Sequence, residues 1–234
     1  MSLRLISNPS TRVLLFAAAR SNITKMSTGI PSSTTPTNAS IGVKHLAVNT
    51  APGVSLSPHQ NVLVGSVLDL FQGHPTLKHL SLWSPSATFT DPLSIATGYN
   101  RFAAQWYGLA SLFKPIELLE HRVVSSNNPI EIEMRTRYTL KAVKKATEIS
   151  SVVKIWVGDG TGSDLGVKEK EGVPNAEGDR GKIVRLEDRW DGKLPEGMFS
   201  EAFRKINAVT VPMMVKVPKT EEEDRKMQAE REKE

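Results

Sequence analysis

The chain reads as an α+β domain. Two short helical patterns open its ordered part. An apolar stripe at steps of four, three and four then marks a helix over 99–113. Beyond it lie segments in which apolar and charged residues alternate, which is the pattern of strands with one buried and one wet face. A run of helices followed by a run of strands is the α+β order.

Ser57-Pro58-His59-Gln60 supplies an N-cap, a proline at the first helical position and a glutamine three residues on, so it opens a helix over 57–72. Gly73-His74-Pro75 ends that helix, and Thr76 caps a shorter one through Leu77, Leu80 and Trp83. A short strand then runs to Asp91-Pro92, and a loop containing Gly98 leads into the helix over 99–113. Phe102, Trp106, Leu109 and Phe113 form its stripe, a pattern that faces a core more often than a ligand. Residues 116–126 alternate weakly, and Ser126-Asn127-Asn128-Pro129 is a hairpin turn. Ile130, Ile132, Met134, Thr136, Tyr138 and Leu140 alternate cleanly with charged or polar neighbours. Ile149, Val153, Ile155 and Val157 define another inner face, and Val184, Leu186, Asp188 and Trp190 share one side of a last strand over 182–190.

Between those two strands, residues 158–181 begin Gly158-Asp159-Gly160-Thr161-Gly162 and are almost devoid of apolar residues. No Gly-Lys-Ser/Thr enters a helix there and no strand–Gly-x-Gly-x-x-Gly–helix context exists, so the interval reads as a long hairpin loop rather than a phosphate cradle. Residues 195–212 form a helical extension with Phe199, Phe203, Ile206 and Val209 on one side. Its run Ala208–Val217 is expected to pack on the protein itself; a homodimer interface and a membrane surface are the alternatives. Lys219–Glu234 reads as a solvated charged tail.

Charge is distributed unevenly. Residues 1–68 contain Arg4, Arg12, Arg20, Lys25 and Lys44 and no acid, while the remaining 25 basic residues balance the 25 acidic ones. The basic pI of 9.4 thus belongs to the leader, and the rest lacks the footprint of a nucleic-acid surface. An acid-free, Arg-spaced, Ser/Thr-rich segment over 1–25 has the composition of a mitochondrial transit peptide. A secretory h-region over Val13–Ala19, and a cytoplasmic product starting at Met26, are the alternative readings. Asn22-Ile23-Thr24 and Asn38-Ala39-Ser40 fit the glycosylation pattern, which has meaning only in a secreted chain. Residues 26–55, rich in Ser, Thr, Pro and Asn, are expected to be a disordered linker to a domain spanning 56–217. The absence of cysteine excludes disulfides and thiolate metal sites, and no segment has the roughly 20 apolar residues of a transmembrane helix.

Ala87-Thr88-Phe89-Thr90-Asp91-Pro92, preceded by two helices and followed by a Gly loop and a helix, resembles the SnoaL-like branch of the nuclear transport factor 2 superfamily. The resemblance extends over about 56–217 and closes on Glu187-Asp188-Arg189-Trp190. It implies a cone: a curved antiparallel sheet wrapped around three N-terminal helices, here with a C-terminal helical extension. In the ketosteroid isomerase branch, the Asp at the position of Asp91 is the general base. The tyrosine of that branch's oxyanion hole is missing from helix 57–72, where Ser66 stands near the expected place, and strand 149–157 carries no acid. A scytalone-dehydratase-like site needs paired histidines, whereas the strands offer His121 alone. His74 and His79 lie across a proline turn, so no metal and no cofactor is expected.

Two carboxylates remain as candidate catalytic groups. Asp188 sits in register with apolar neighbours, and a carboxylate on an inward face must be paired, hydrogen-bonded or protonated. Asp91 either fixes the turn before Pro92 or acts on a ligand. With Trp83, Phe89, Phe102, Trp106, Tyr138 and Trp190 as ligand-binding residues, they would line a pocket for a small apolar molecule and acid–base chemistry of the isomerase or dehydratase type. The alternative implied by the same resemblance is a non-catalytic protein-interaction module.

Overall fold

In the computed structural model, residues 35–159, 177–191 and 215–233 are described, and all of them fall in the unit Thr35–Glu234. The expected helical extension over 195–212, the leader over 1–25 and most of the loop over 158–181 lie outside the described residues.

Residues 35–56 are not linker. Thr37 caps a short helix, α1 (Asn38–Ile41), with a reciprocal Thr37–Ser40 capping box, and Ile41 and Val43 are buried in the core. The backbone N–H groups of Lys44 and His45 then donate to the buried carboxylate of Asp69, at 2.7 and 2.9 Å. Thr50 bridges to Val123 in parallel. The composition of this segment is polar, but its few apolar residues and its backbone donors are used by the domain.

Helix α2 (Pro58–Phe71) starts at the capping box formed by Ser57 and Gln60 and buries all of Val62–Phe71. Its neighbour α3 (Leu77–Leu80) is capped by Thr76. Strand β1 (Trp83–Asp91) turns at Asp91 into β2 (Ser94–Thr97), so the expected loop is a short hairpin with Phe89 opposite Ala96. Helix α4 (Tyr99–Leu112) stops one residue before Phe113, the last member of the apolar stripe; Pro115 disfavours the helical region for Lys114, and Phe113 begins β3 (Phe113–Ser125). The remaining strands are β4 (Ile130–Leu140), β5 (Lys145–Val157) and β6 (Ile183–Asp191).

The sheet order is β2-β1-β6-β5-β4-β3, with β1 and β6 parallel and the other pairs antiparallel. Three register shifts interrupt β3 against β4, at Phe113/Ile116, Leu118/Glu120 and Val123/Ser125. Bulges of this kind bend a strand and increase its twist, which curves the sheet over the helices. Every inward residue expected on β4 is buried. On the wet face, Arg122–Glu133, Arg137–Glu148 and Lys154–Glu131 pair across strands at 2.7 Å each. Such exposed pairs contribute little individually but keep each cation matched to an acid.

The charged tail is a docked helix, α5 (Glu221–Lys233). Four acids in its first turn and Arg231 and Lys233 in its last complement the helix dipole. Asp224 is buried, accepting from the Leu77 N–H and the Tyr107 hydroxyl at 2.8 Å each. Arg231 donates to the Pro75 carbonyl at 3.0 Å and lies over the Tyr107 ring. Among the described residues no helix is long and apolar enough to cross a membrane.

Candidate functional site

Parallel pairing of β1 with β6 decides where the two candidate carboxylates meet. Phe89 faces Leu186 and Thr90 faces Glu187, so Asp91 lies one step further along, level with Asp188. Strand alternation turns both inward with Phe89 and Leu186, which are buried.

Their environments differ. One oxygen of Asp91, Oδ1, accepts from the Leu93 N–H (2.8 Å), the Ser94 N–H (2.7 Å) and the Ser94 hydroxyl (3.1 Å). The Gln105 side chain on α4 donates in turn to the Ser94 hydroxyl at 2.9 Å, tying the turn to the helix. This is the turn-fixing role open to an Asp before a proline. Burial nevertheless raises the Asp91 carboxyl above the usual range, and the hydrogen bonds from Leu93 and Ser94 only oppose that rise.

Asp188 is 6% exposed. Its Oδ2 accepts from the Trp190 indole N–H at 2.7 Å, and a Ser151 hydrogen bond also favours the charged form. Burial outweighs both, and with the charge of Asp91 nearby it pushes the carboxyl up to about 7. Oδ1 has no hydrogen-bond partner among the described residues. Tyr138, on β4, is pushed up first by burial and then by the charges of Asp188 and Asp91, so its hydroxyl stays protonated beside them.

The expected aromatic lining is largely core. Trp83 stacks on Phe102 at 5.0 Å, Phe89 meets Trp106 at 4.9 Å, and Phe71 stands edge-on to Trp106 at 5.1 Å. Phe113 packs edge-on to Tyr138 at 5.7 Å. All of these rings are buried, whereas Trp190 is half-buried at the same end as Asp188. The indole N–H groups of Trp83 and Trp106 have no hydrogen-bond partner among the described residues. Buried polar groups in folded proteins are nearly always satisfied, so orphaned donors of this kind need an explanation.

Ser66 donates to the Leu63 carbonyl within its own helix and does not approach the carboxylates through that bond. His79 is buried beside Asp69 at 3.3 Å, and its Nδ1 lies 3.0 Å from the His74 carbonyl. Among the described residues no group of three His, Asp or Glu side chains could hold a metal ion.

Ser151, Ser94 and Gln105 escape a reading of the sequence alone. Ser151 carries a usable signal, being a hydroxyl between Ile149 and Val153 on an otherwise apolar face. Gln105 has the same signature, a polar residue within the buried part of α4. Ser94 has none, because the four residues of β2 are too few to show a strand period.

No protein-family model matches the chain, and no curated protein sequence does. Solved structures do align with it. A hypothetical protein with a ketosteroid isomerase-like fold from Catenulispora acidiphila, in complex with trimethylamine, shares 10% identity over 54% of this chain and 82% of its own, with a TM-score of 0.38. AusH from Aspergillus nidulans shares 15% identity over 63% of this chain and 92% of its own, with a TM-score of 0.37. A de novo designed protein with a curved β-sheet shares 12% identity over 62% of this chain and 93% of its own, with a TM-score of 0.38.

Proposed function

We propose that this is a SnoaL-like domain that binds a small, largely apolar molecule bearing a polar oxygen, and that Asp188 exchanges a proton with it. The observation that carries the reading is the Asp188 carboxyl: buried, held through Oδ2 by Trp190, poised near 7, and with Oδ1 unpartnered among the described residues. A carboxyl titrating near neutrality can donate when protonated and accept when ionised, which is what acid–base chemistry of the isomerase or dehydratase type requires. Tyr138 supplies a neutral hydroxyl that can donate to the same ligand oxygen. Asp91, engaged by Leu93 and Ser94, is a positioning residue whose charge helps keep Asp188 protonated.

The acid-free leader with Arg4, Arg12 and Arg20 supports a mitochondrial destination for this activity. Native mass spectrometry of the purified full chain tests the binding reading, followed by thermal-shift measurements with a panel of cyclic enones and hydroxy-ketones. The expected result is a non-covalent small-molecule adduct, or a stabilising enone, whose effect is lost in Asp188→Asn. No adduct and no thermal shift across the panel would overturn the proposal.

A further inference from the structure

The geometry points to a pH-sensitive clasp: the neutral His121 imidazole holds residues 46–51 along the outer edge of β3, and protonation of that ring releases them. Strand β3 is the last of the sheet, so this edge has no neighbouring strand. Residues 49–51 occupy part of it. The Val123 N–H donates to the Asn49 carbonyl and the Ala51 N–H to the Val123 carbonyl, at 2.8 Å each, on either side of the parallel bridge from Thr50 to Val123. Two residues earlier on β3, His121 Nε2 accepts from the Asn49 N–H at 3.0 Å.

A backbone N–H can only donate, so this bond makes Nε2 the lone-pair nitrogen of a neutral ring. Adding a proton at Nε2 sets two donors against each other and breaks the bond. Little packing compensates, since Leu46 is 61% exposed and Val48 only partly buried. The preceding turn is held independently by Asp69, which accepts from the Lys44 and His45 N–H groups, so release stops at residue 46.

The surroundings also disfavour a charge on His121. His45 stands edge-on to it with ring centroids 4.7 Å apart, and the Gln72 amide of α2 donates to His45 Nδ1 at 3.1 Å. Burial first, and then repulsion from His45, hold His121 below its ordinary 6.5, while a hydrogen bond to the Ala47 backbone opposes them. From β4, Met134 stands opposite the ring. The charges flanking it on these two strands are matched, Glu120 by Arg135 and Arg122 by Glu133. Lys44 is paired with Glu232, Asp69 lies 3.3 Å from His79, and Asp188 and Asp191 are three strands away on β6. An undocked His121 titrates at the ordinary value and the docked ring lower, so release takes up a proton. Docking is therefore complete above about pH 6.5 and weakens as pH falls through it. The raised Asp188 carboxyl acts with the opposite sign, stabilising the whole domain as pH falls, which separates loosening of 46–51 from general unfolding.

Hydrogen exchange of the full chain, followed by NMR from about pH 7.5 to about pH 5.5 and expressed as protection factors, tests this. The Ala51 and Val123 amides are expected to lose protection severalfold, while the core amides of Ile132 and Val153 do not. His121→Gln keeps an acceptor near the Nε2 position and takes up no proton, so in this variant the same two amides should show protection that is flat with pH. Ring titration of the unmodified protein should place the His121 midpoint below 6.5. Protection that does not change with pH in the unmodified protein, an equal loss in His121→Gln, or a His121 ring titrating at or above its ordinary value overturns the proposal.

Discussion

Asp188→Asn should change how stability depends on pH. In the folded protein the Asp188 carboxyl titrates near 7, against 3.8 for the ordinary group. A raised carboxylate pKa means that the folded state binds the proton more tightly, so stability is fully retained below about pH 4 and falls as pH rises toward 7. Each tenfold gain in proton affinity corresponds to about 1.4 kcal/mol, so the full penalty is about 4 kcal/mol, of which about 3 kcal/mol accrues between pH 5 and pH 8. Asn keeps an oxygen acceptor for the Trp190 indole and has no proton to lose. Urea denaturation of both proteins across this range should therefore show wild-type stability declining relative to the variant. Because Asp91 is present in both, its own titration largely cancels in the difference. Parallel stability curves would refute the reasoning, since they would mean that Asp188 carries the same charge throughout.

Three further outcomes follow from the packing and the leader. Asp224→Ala leaves the Leu77 N–H and the buried Tyr107 hydroxyl without their acceptor, costing about 3 kcal/mol, and hydrogen exchange should accelerate along α5 before the sheet is affected. Asp69→Asn leaves one of the Lys44 and His45 N–H groups unsatisfied, costing about 1–3 kcal/mol. Limited proteolysis should then cut within 35–56, whereas the wild-type resistant fragment should begin near residue 35 instead of Ser57. Changing Arg4, Arg12 and Arg20 to Glu should abolish mitochondrial import of a fluorescent fusion; unchanged localisation would remove the case for a transit peptide.

Local rules are enough for much of the scaffold. The Ser57–Gln60 capping box, the Thr76 cap and the inward set from Ile130 to Leu140 each depend on residues a few positions apart, so their geometry is written in spacing. The inward direction of Asp188 is legible for the same reason, since period two carries it along with Val184 and Leu186. The end of α4 is legible in Pro115, although the apolar stripe runs one residue past it.

What the sequence alone determined, then, is where α2, α4, β4 and β6 lie to within a residue or two and which side of each is apolar, because a helix or strand imposes its own period on its neighbours, whereas α1 and α5 stood in segments that read as linker and solvated tail. Only the tertiary structure decided which elements meet. Parallel pairing of β1 with β6 sets Asp91 level with Asp188, and the donors of Leu93 and Ser94 turn the first into a brace while the second remains buried and near neutral in its titration. The same holds at both ends of the domain. Nothing in Glu221-Glu222-Glu223-Asp224 distinguishes the acid that is buried from the three before it. Asp224 is selected by Leu77 and Tyr107, more than a hundred residues away, and Asp69 likewise captures the backbone of a segment whose composition reads as linker. Long-range hydrogen bonds leave no periodic trace in either partner, and together with the burial of Ile41 and Val43 and the packing of Met227 they convert a polar segment and a charged tail into parts of the fold.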